Sequence, residues 1–241
     1  MKPVEISPGI EIIDLALWFP KQKVLAVSDF HIGYEEYLNM RGILLPRHQF
    51  KDTKERLHKI FSVLKTKPKK IIITGDLKYE FGTVNREERF GLTDLLRFLV
   101  KNCDKLIVLR GNHDKILGFL QNEKLKIMSE LTLGNIFFAH GDSLIETKAK
   151  IIVVGHAHPA IKLSDGLVAE KVKCFVRGKW KGKTLIVLPS FNLVTEGTDI
   201  LSEKGLSPYV NSARSLEAWA IPEAGEVLYF GKLKTLRHNI S

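Results

Sequence analysis

Five short segments of this chain place acidic, amide and imidazole side chains close together in the sequence. They are Ser28-Asp29-Phe30-His31, Gly75-Asp76, Gly111-Asn112-His113-Asp114, Ala139-His140-Gly141-Asp142 and Gly155-His156-Ala157-His158. Each follows a run of apolar residues, and glycines stand beside most of the polar groups, as a tight loop against an ion or a phosphate would require. Carboxylate, imidazole and amide groups without thiolate suit manganese, iron, zinc or nickel, and they are too rich in nitrogen for a dedicated magnesium or calcium site.

Seven such groups are more than one metal ion needs. In an extended loop the polar residues of Asp29-x-His31, or of His156-x-His158, project from the same side of the backbone. This spacing favours two adjacent metal ions that share a bridging carboxylate. Each segment alone has a plainer interpretation, because Gly-Asp after a strand is common turn chemistry and a histidine at a strand end is often a hydrogen-bonded surface residue. Their occurrence together and in order favours the metal centre.

The apolar runs before these segments predict the strands that position them. Runs rich in Val and Ile predict buried strands at residues 23–28, 71–74, 106–109, 136–139, 151–154 and 185–188. Helical patterns lie between the early strands, and each has one apolar face. The two faces consist of Phe50, Leu57, Ile60, Phe61 and Leu64, and of Leu92, Leu95, Leu96 and Leu99. Strands that alternate with helices predict a layered α/β fold with largely parallel strands.

The second half of the sequence predicts a different arrangement. After Gly155 the helical periodicity gives way to strand-like stretches at residues 168–176 and 226–232, which indicates a second, more antiparallel sheet. Residues 195–209 are rich in Gly, Ser, Thr and Asp and lack periodicity, so we predict a long surface loop there. The predicted fold is therefore an α/β sandwich of two sheets flanked by helices.

Length and composition indicate one domain over residues 1–241. The hydrophobic fraction of 44% and the charged fraction of 27% are those of a globular protein, and they exclude a disordered or fibrous chain. The apolar runs are strand-sized, and no basic and apolar leader opens the sequence, so we expect a cytoplasmic protein that does not enter membranes. Cys103 and Cys174 stand beside apolar neighbours and are predicted to be buried free thiols.

The balance of charges favours an anionic partner. The chain has 37 Lys and Arg residues against 27 Asp and Glu residues, a formal net charge of +10. Nucleic acid or a phosphorylated small molecule would complement that charge. Because the lysines are scattered along the chain, a solvated, Lys-rich surface explains the excess equally well.

The ordered motifs resemble the signature of the calcineurin-like metallophosphoesterases. The resemblance extends from Asp29 to His158, and residues 188–192 (LPSFN) look like the late strand and loop that follow in such proteins. Less specifically, Arg110-Gly111-Asn112-His113-Asp114 is similar to the archaeal phosphoesterases related to the SbcD-type nucleases and to the ligase-associated phosphoesterases of bacteria. The resemblance implies an α/β/β/α architecture and a metal-dependent hydrolase that acts on phosphate esters.

The resemblance also implies a role for each polar residue. Two divalent ions are expected, with manganese favoured and iron, zinc or nickel as alternatives. The implied ligands are Asp29, His31 and His158 for one ion, Asn112, His140 and His156 for the other, and Asp76 as the bridge. His113 would face the scissile phosphate and stabilise or protonate the departing oxygen, and Asp114 would orient its imidazole. A hydroxide that bridges the two ions would attack the phosphorus in line.

One position departs from the related nucleases. Those proteins carry a histidine three residues after the bridging aspartate, whereas this chain has Tyr79. A phenol can hydrogen-bond to a phosphate oxygen but lacks the charge of a cationic imidazole near neutral pH. Lys78 is a candidate phosphate contact, with an exposed, solvated lysine as the alternative. Arg110 and Asn192 are further candidates for substrate contact, and either could instead stabilise a loop.

The sequence thus predicts an enzyme with a phosphate-ester substrate. The leading interpretation is a phosphodiesterase that acts on nucleotides or nucleic-acid ends. The alternatives within the enzyme class are a phosphomonoesterase, a cyclic-nucleotide phosphodiesterase and a DNA nuclease. A non-catalytic scaffold with the same fold is a different class, and the presence of every expected metal ligand argues against it.

Overall fold

The computed structural model of the chain describes residues 1–45, 48–79, 86–114, 123–164, 169–202, 207–233 and 235. Within these ranges the side chains of residues 86–88, 164 and 169 are not described. We also predict that the second long helix begins at Asn85 with Glu88 as its capping-box partner, and that a strand begins at residue 168. These three details lie outside the described residues.

The first half of the chain forms a seven-stranded sheet whose strands lie in chain order. They are β1 (Val4–Ser7), β2 (Ile10–Ile13), β3 (Ala16–Phe19), β4 (Val24–Val27), β5 (Lys70–Ile73), β6 (Lys105–Leu109) and β7 (Leu125–Met128). Short turns join β1 to β4, so these strands are antiparallel. Strands β4 to β7 are parallel to one another, because the segments between them are long enough to return along the sheet.

Two long helices serve as crossovers between the parallel strands. They are α2 (Gln49–Val63) between β4 and β5, and α3 (Arg86–Lys101) between β5 and β6. Their predicted apolar faces are buried in the core, with Leu57 and Ile60 on α2 and Leu95 and Leu99 on α3 all inaccessible to solvent. A short helix, α1 (Tyr34–Met40), precedes α2 and buries none of its residues.

The second half forms a nine-stranded sheet. Its strands are β8 (Glu130–Leu133), β9 (Ile136–Ala139), β10 (Ile151–Val154), β11 (Pro159–Ser164), β12 (Ala169–Trp180), β13 (Lys183–Val187), β14 (Thr198–Asp199), β15 (Arg214–Ala220) and β16 (Leu228–Lys232). Strands β9, β10 and β13 are mutually parallel, and most of the other pairings are antiparallel. A one-turn helix, α4 (Pro208–Ser212), covers part of this sheet.

The two sheets share one core. Its cluster of buried residues joins the first sheet, α2 and α3 to inward-facing residues of the second sheet such as Phe138 and Phe175. Phe19 and Phe138 meet across the interface edge to face, with ring centroids 5.5 Å apart. A second cluster lies on the far side of the second sheet, where Trp180 packs against Tyr209 of α4. The predicted α/β sandwich flanked by helices is therefore confirmed.

The sequence patterns succeeded for the runs rich in Val and Ile and failed for most of the other strands. Each predicted strand is present with its ends displaced by up to four residues, allowing for the ranges that the structure describes. The prediction of one loop over residues 195–209 is wrong, because β14 and the start of α4 lie within it. Several strands were not predicted, because runs of Val and Ile are interrupted or absent in them: β1 to β3, β7, β8, β11 and β15. Both cysteines are buried free thiols, as predicted.

Within the described part of the chain, no helix combines the length and apolar character that a membrane span requires.

Candidate metal centre

All five polar segments meet at one edge of the sandwich. Asp29 follows β4, Asp76 follows β5 and Asn112 follows β6, and these three strands are parallel. His140 follows β9 and His156 follows β10, which are parallel in the other sheet. Because the carboxyl ends of parallel strands lie at the same edge of a sheet, the two sheets present their polar loops to each other.

The loops hold many of these residues in a backbone conformation that non-glycine residues rarely adopt. Positive φ angles occur at Asp29 (51°), His31 (47°), Asp76 (42°), His156 (63°) and His158 (43°). The extended loops predicted for Asp29-x-His31 and His156-x-His158 are therefore not observed, because both polar residues of each pair are left-handed. Such conformations cost free energy and persist where the surrounding structure enforces them, which happens mostly at functional sites.

Asp29, His31 and His158 form the first group of possible ligands. The Nε2 atoms of His31 and His158 face each other at 3.2 Å, and the His158 Nε2 lies 3.6 Å from the Asp29 Oδ2. Burial and the neighbouring His158 lower the pKa of His31 to about 3, so its imidazole is neutral at physiological pH. Burial works to raise the pKa of Asp29, but His158, His140 and His31 outweigh it and hold that pKa below its ordinary value.

Asn112, His140 and His156 form the second group. The Nδ1–H of His140 donates to the Thr74 carbonyl at 3.0 Å, which leaves the lone pair on Nε2 in the neutral ring. That Nε2 lies 2.9 Å from the Asn112 Oδ1 and 3.0 Å from the His156 Nδ1. Two imidazole nitrogens and an amide oxygen therefore converge on one point, as ligands of one cation would.

Asp76 lies between the two groups. Its Oδ2 is 3.8 Å from the His31 Nε2 and 3.4 Å from the His140 Nε2. Burial raises the pKa of Asp76 to about 7, and the nearby Asp29 acts in the same direction against the opposing effect of His140. A single carboxylate thus faces both groups, as a bridging ligand must.

The donor set fits divalent cations. The Asp29 Oδ1 and the His31 Nδ1 are buried, and neither has a hydrogen-bond partner among the described residues. Burial works to lower the pKa of His140, yet Asp29 and Asp76 raise it above its ordinary value, so positive charge is favoured where the ligands converge. Nitrogen and oxygen ligands of this kind suit transition metals such as manganese, iron, zinc or nickel.

Glycines allow the loops to approach one another. A Cβ on Gly111 would lie 2.0 Å from the Asp76 Oδ1, and a Cβ on Gly75 would lie 2.1 Å from the His140 Nδ1. Neither position has room for any other residue, and Gly75 also has a φ of 106°. The glycines of the motifs are therefore required by the packing of the centre.

His113 has one ring nitrogen facing the centre and the other fixed by the backbone. Its Nε2 lies 3.9 Å from the Asp76 Oδ2, and its Nδ1–H donates to the Tyr79 carbonyl. Asp114 does not hold the imidazole, so the orienting role predicted for it is wrong. The Asp114 carboxylate instead accepts hydrogen bonds from the backbone N–H groups of Leu77, Lys78 and Gly111. It joins the Asp76 loop to the Asn112 loop.

The four candidates for substrate contact differ in accessibility. Lys78 is fully buried, so the alternative of a solvated lysine is wrong. Tyr79 is half-buried at the rim, and Arg110 is exposed at the end of β6. Asn192 is buried, and its Oδ1 accepts from the N–H groups of Val194 and Thr195, which favours the alternative of a loop-stabilising residue.

Three hydroxyl groups behind Asp29 were missed from the sequence. The Ser28 Oγ donates to the Asp29 Oδ2, the Thr74 Oγ1 donates to the Ser28 Oγ at 2.8 Å, and the Ser190 Oγ donates to the Asp29 carbonyl at 2.7 Å. All three residues are buried. Only the adjacency of Ser28 to Asp29 signals this network in the sequence. The network orients Asp29 as outer-shell hydrogen-bond partners of a metal ligand do.

We expect the affinity of the metal-free chain for Mn²⁺ to fall as the pH is lowered below about 7. Asp76, with a pKa raised to about 7, holds a proton below that pH, and an incoming cation must displace it. The affinity should then fall by about tenfold per pH unit for each displaced proton. Calorimetric titration in buffers of different ionisation enthalpy counts the protons released, and a constant affinity across this range would contradict the expectation.

Comparisons with known proteins give a family match and similar solved structures. The family model described as calcineurin-like phosphoesterase matches residues 22–178. The structure of the nuclease MPE from Pseudomonas putida is 22% identical, with a TM-score of 0.65 over 95% of this chain and 99% of that chain. The phosphoesterase Yfce from E. coli is 15% identical, with a TM-score of 0.42 over 87% and 97% of the two chains. Among curated proteins the sequence has no match.

Proposed function

The chain belongs to the calcineurin-like phosphoesterase family, and we propose that it hydrolyses phosphodiesters of nucleotides or nucleic-acid ends at a dinuclear metal centre. The observation that carries the proposal is the position of Asp76. Its carboxylate faces two separate groups of possible ligands, one containing His31 and the other containing His140. One ion would leave part of this donor set unused. A single domain over residues 1–241 would hold the whole centre.

The polar residues of the centre would act as ligands of two metal ions. Asp29, His31 and His158 would hold one ion, Asn112, His140 and His156 the other, and Asp76 would bridge them. Two divalent cations held in these positions would lower the pKa of water toward neutrality and would neutralise charge on the phosphoryl oxygens. We propose manganese as the native metal, with iron, zinc or nickel as alternatives that the same donor set accommodates.

His113 would assist the departure of the leaving oxygen. Since its Nδ1–H is engaged by the Tyr79 carbonyl, its Nε2 is the nitrogen available to a substrate. Burial lowers the pKa of this imidazole, while the Tyr79 carbonyl favours the protonated form. The negative charge of a bound phosphate would favour that form further and prepare the ring to donate a proton. Asp114 would keep the two loops in register.

A DNA nuclease is the second candidate. The net charge of +10 and the shared fold with a protein named as a nuclease support it. Tyr79 argues against a nuclease, because a neutral phenol at this rim attracts an anionic phosphate less strongly than an imidazolium would. We therefore place small phosphodiesters first and extended DNA second.

Replacing Tyr79 with histidine tests this ranking. We expect wild-type protein loaded with Mn²⁺ to hydrolyse bis(p-nitrophenyl) phosphate efficiently and to degrade end-labelled single-stranded DNA slowly. The Tyr79→His variant should gain DNA cleavage, because a cationic imidazole would help to hold the phosphate over the metals. Tyr79→Phe is the matched control, since it keeps the ring without adding charge. Rapid degradation of DNA by the wild type, unchanged in Tyr79→His, would favour the nuclease.

A further inference from the structure

Three tyrosines form a cluster of rings at the rim of the metal centre. The centroids of Tyr34 and Tyr79 lie 4.5 Å apart and those of Tyr37 and Tyr79 lie 4.8 Å apart. Tyr34 and Tyr37 are nearly parallel, with an interplanar angle of 16° and a separation of 6.5 Å. Tyr34 and Tyr37 belong to α1, whereas Tyr79 comes from the loop that carries Asp76.

The cluster continues directly into the site. The Tyr79 ring lies 5.8 Å from His113, nearly parallel to it at 26°, and 5.8 Å from His31. At the outer end, the Arg41 guanidinium lies over the Tyr37 ring at 5.0 Å from its centroid. A row of planar groups therefore leads from the imidazoles of the centre to an exposed cation.

The cluster is not part of the hydrophobic core. No residue of α1 is buried, and all three rings are partly open to solvent. A helix whose aromatic residues served only for packing would bury one face. Partly exposed tyrosines arranged edge to face and nearly parallel offer π-faces and edges to a planar ligand.

We propose that Tyr34, Tyr37 and Tyr79, with Arg41, form a platform on which a nucleobase of the substrate stacks. This proposal rests on the proposed function, since it names the group that accompanies the phosphate. Base and phosphate of a nucleotide are separated by one sugar, and the platform adjoins the place where the phosphate would lie. Stacking on aromatic side chains tolerates any base and is worth about fivefold to 150-fold in binding per base. Arg41, which lies over the Tyr37 ring, adds a cation beside the platform.

Two small diesters with the same leaving group isolate the contribution of the nucleoside. Thymidine 5′-(p-nitrophenyl phosphate) carries a base, and methyl p-nitrophenyl phosphate does not. We expect the wild type to prefer the thymidine ester in kcat/KM by at least about fivefold. Tyr37→Ala and Tyr34→Ala should lose most of this preference through KM, whereas Tyr37→Phe should keep it. Tyr229→Ala is the control, because Tyr229 is 57% exposed and lies outside the cluster.

A binding measurement separates the platform from the chemistry. Fluorescence anisotropy in EDTA should show tighter binding of labelled oligothymidylate than of an abasic oligomer of equal length, and Tyr37→Ala should reduce the difference. If no diester is hydrolysed but this difference appears, the proposed function fails and the platform stands. Equal binding of the two oligomers by wild type, or a difference unchanged in the folded Tyr34→Ala and Tyr37→Ala proteins, would overturn the platform.

Discussion

Asp76→Asn should nearly abolish hydrolysis of a phosphodiester and weaken the binding of both metal ions. The Oδ2 of Asp76 faces His31 on one side and His140 on the other, so the loss of its charge affects both groups. Removal of outer-shell partners alone costs about 10-fold to 100-fold in metal affinity or activity, and loss of a bridging carboxylate should exceed the upper value. Metal content after gel filtration and kcat at saturating Mn²⁺ measure the two effects.

Asp104→Asn is the matched control for this substitution. Asp104 is exposed, pairs with Lys67 at 3.7 Å and lies on the turn before β6, at the end of that strand opposite Asn112. An exposed ion pair contributes little, so this variant should bind two ions and turn over like the wild type. An Asp76→Asn protein that retains both ions and normal turnover would show that Asp76 does not bridge.

His113→Ala should lower kcat by about 10² to 10⁴, the usual contribution of a positioned proton donor, while metal content stays near that of the wild type. Metal content should stay high, unlike in Asp76→Asn, because the Tyr79 carbonyl fixes the His113 ring at Nδ1. The loss should be larger for an alkyl ester than for a p-nitrophenyl ester, because a poor leaving group depends more on protonation. Steady-state kinetics on both esters and elemental analysis test the prediction.

The competing role of His113 is that of a metal ligand. His31, Asp76 and His113 also lie close enough together to hold an ion. Equal metal loss in His113→Ala and Asp76→Asn would assign His113 to the ligands. His58→Ala provides the control, since His58 lies on the exposed side of α2 and stacks edge to face on Phe98.

The sequence predicted the strands next to the centre because those strands are buried on both faces. Runs such as β5 and β10 are continuous in Val and Ile, and the loop after each contains a possible ligand. The motifs then sufficed to bring Asp29, Asp76 and His140 to one edge, since parallel strands share their carboxyl ends.

Other features depend on tertiary contacts that no local pattern encodes. The left-handed backbone at Asp29 and His156 accompanies a contact between loops of the two sheets, in which the His156 N–H donates to the Asp29 Oδ2. The role of Asp114 was carried over from the resemblance and was mistaken, because the carboxylate turns toward the backbone of the Asp76 loop. The tyrosine platform joins α1 to a loop more than 40 residues away, and helical periodicity gives no sign of it.

The central claim, a dinuclear centre bridged by Asp76, is tested most directly by counting and locating metal ions in protein loaded with Mn²⁺. Elemental analysis should give two ions per chain, and anomalous scattering from crystals should place both beside the Asp76 carboxylate. The Asp29 group should surround one ion and the His140 group the other. A saturated protein with a single ion, or with ions bound away from Asp76, would contradict the account.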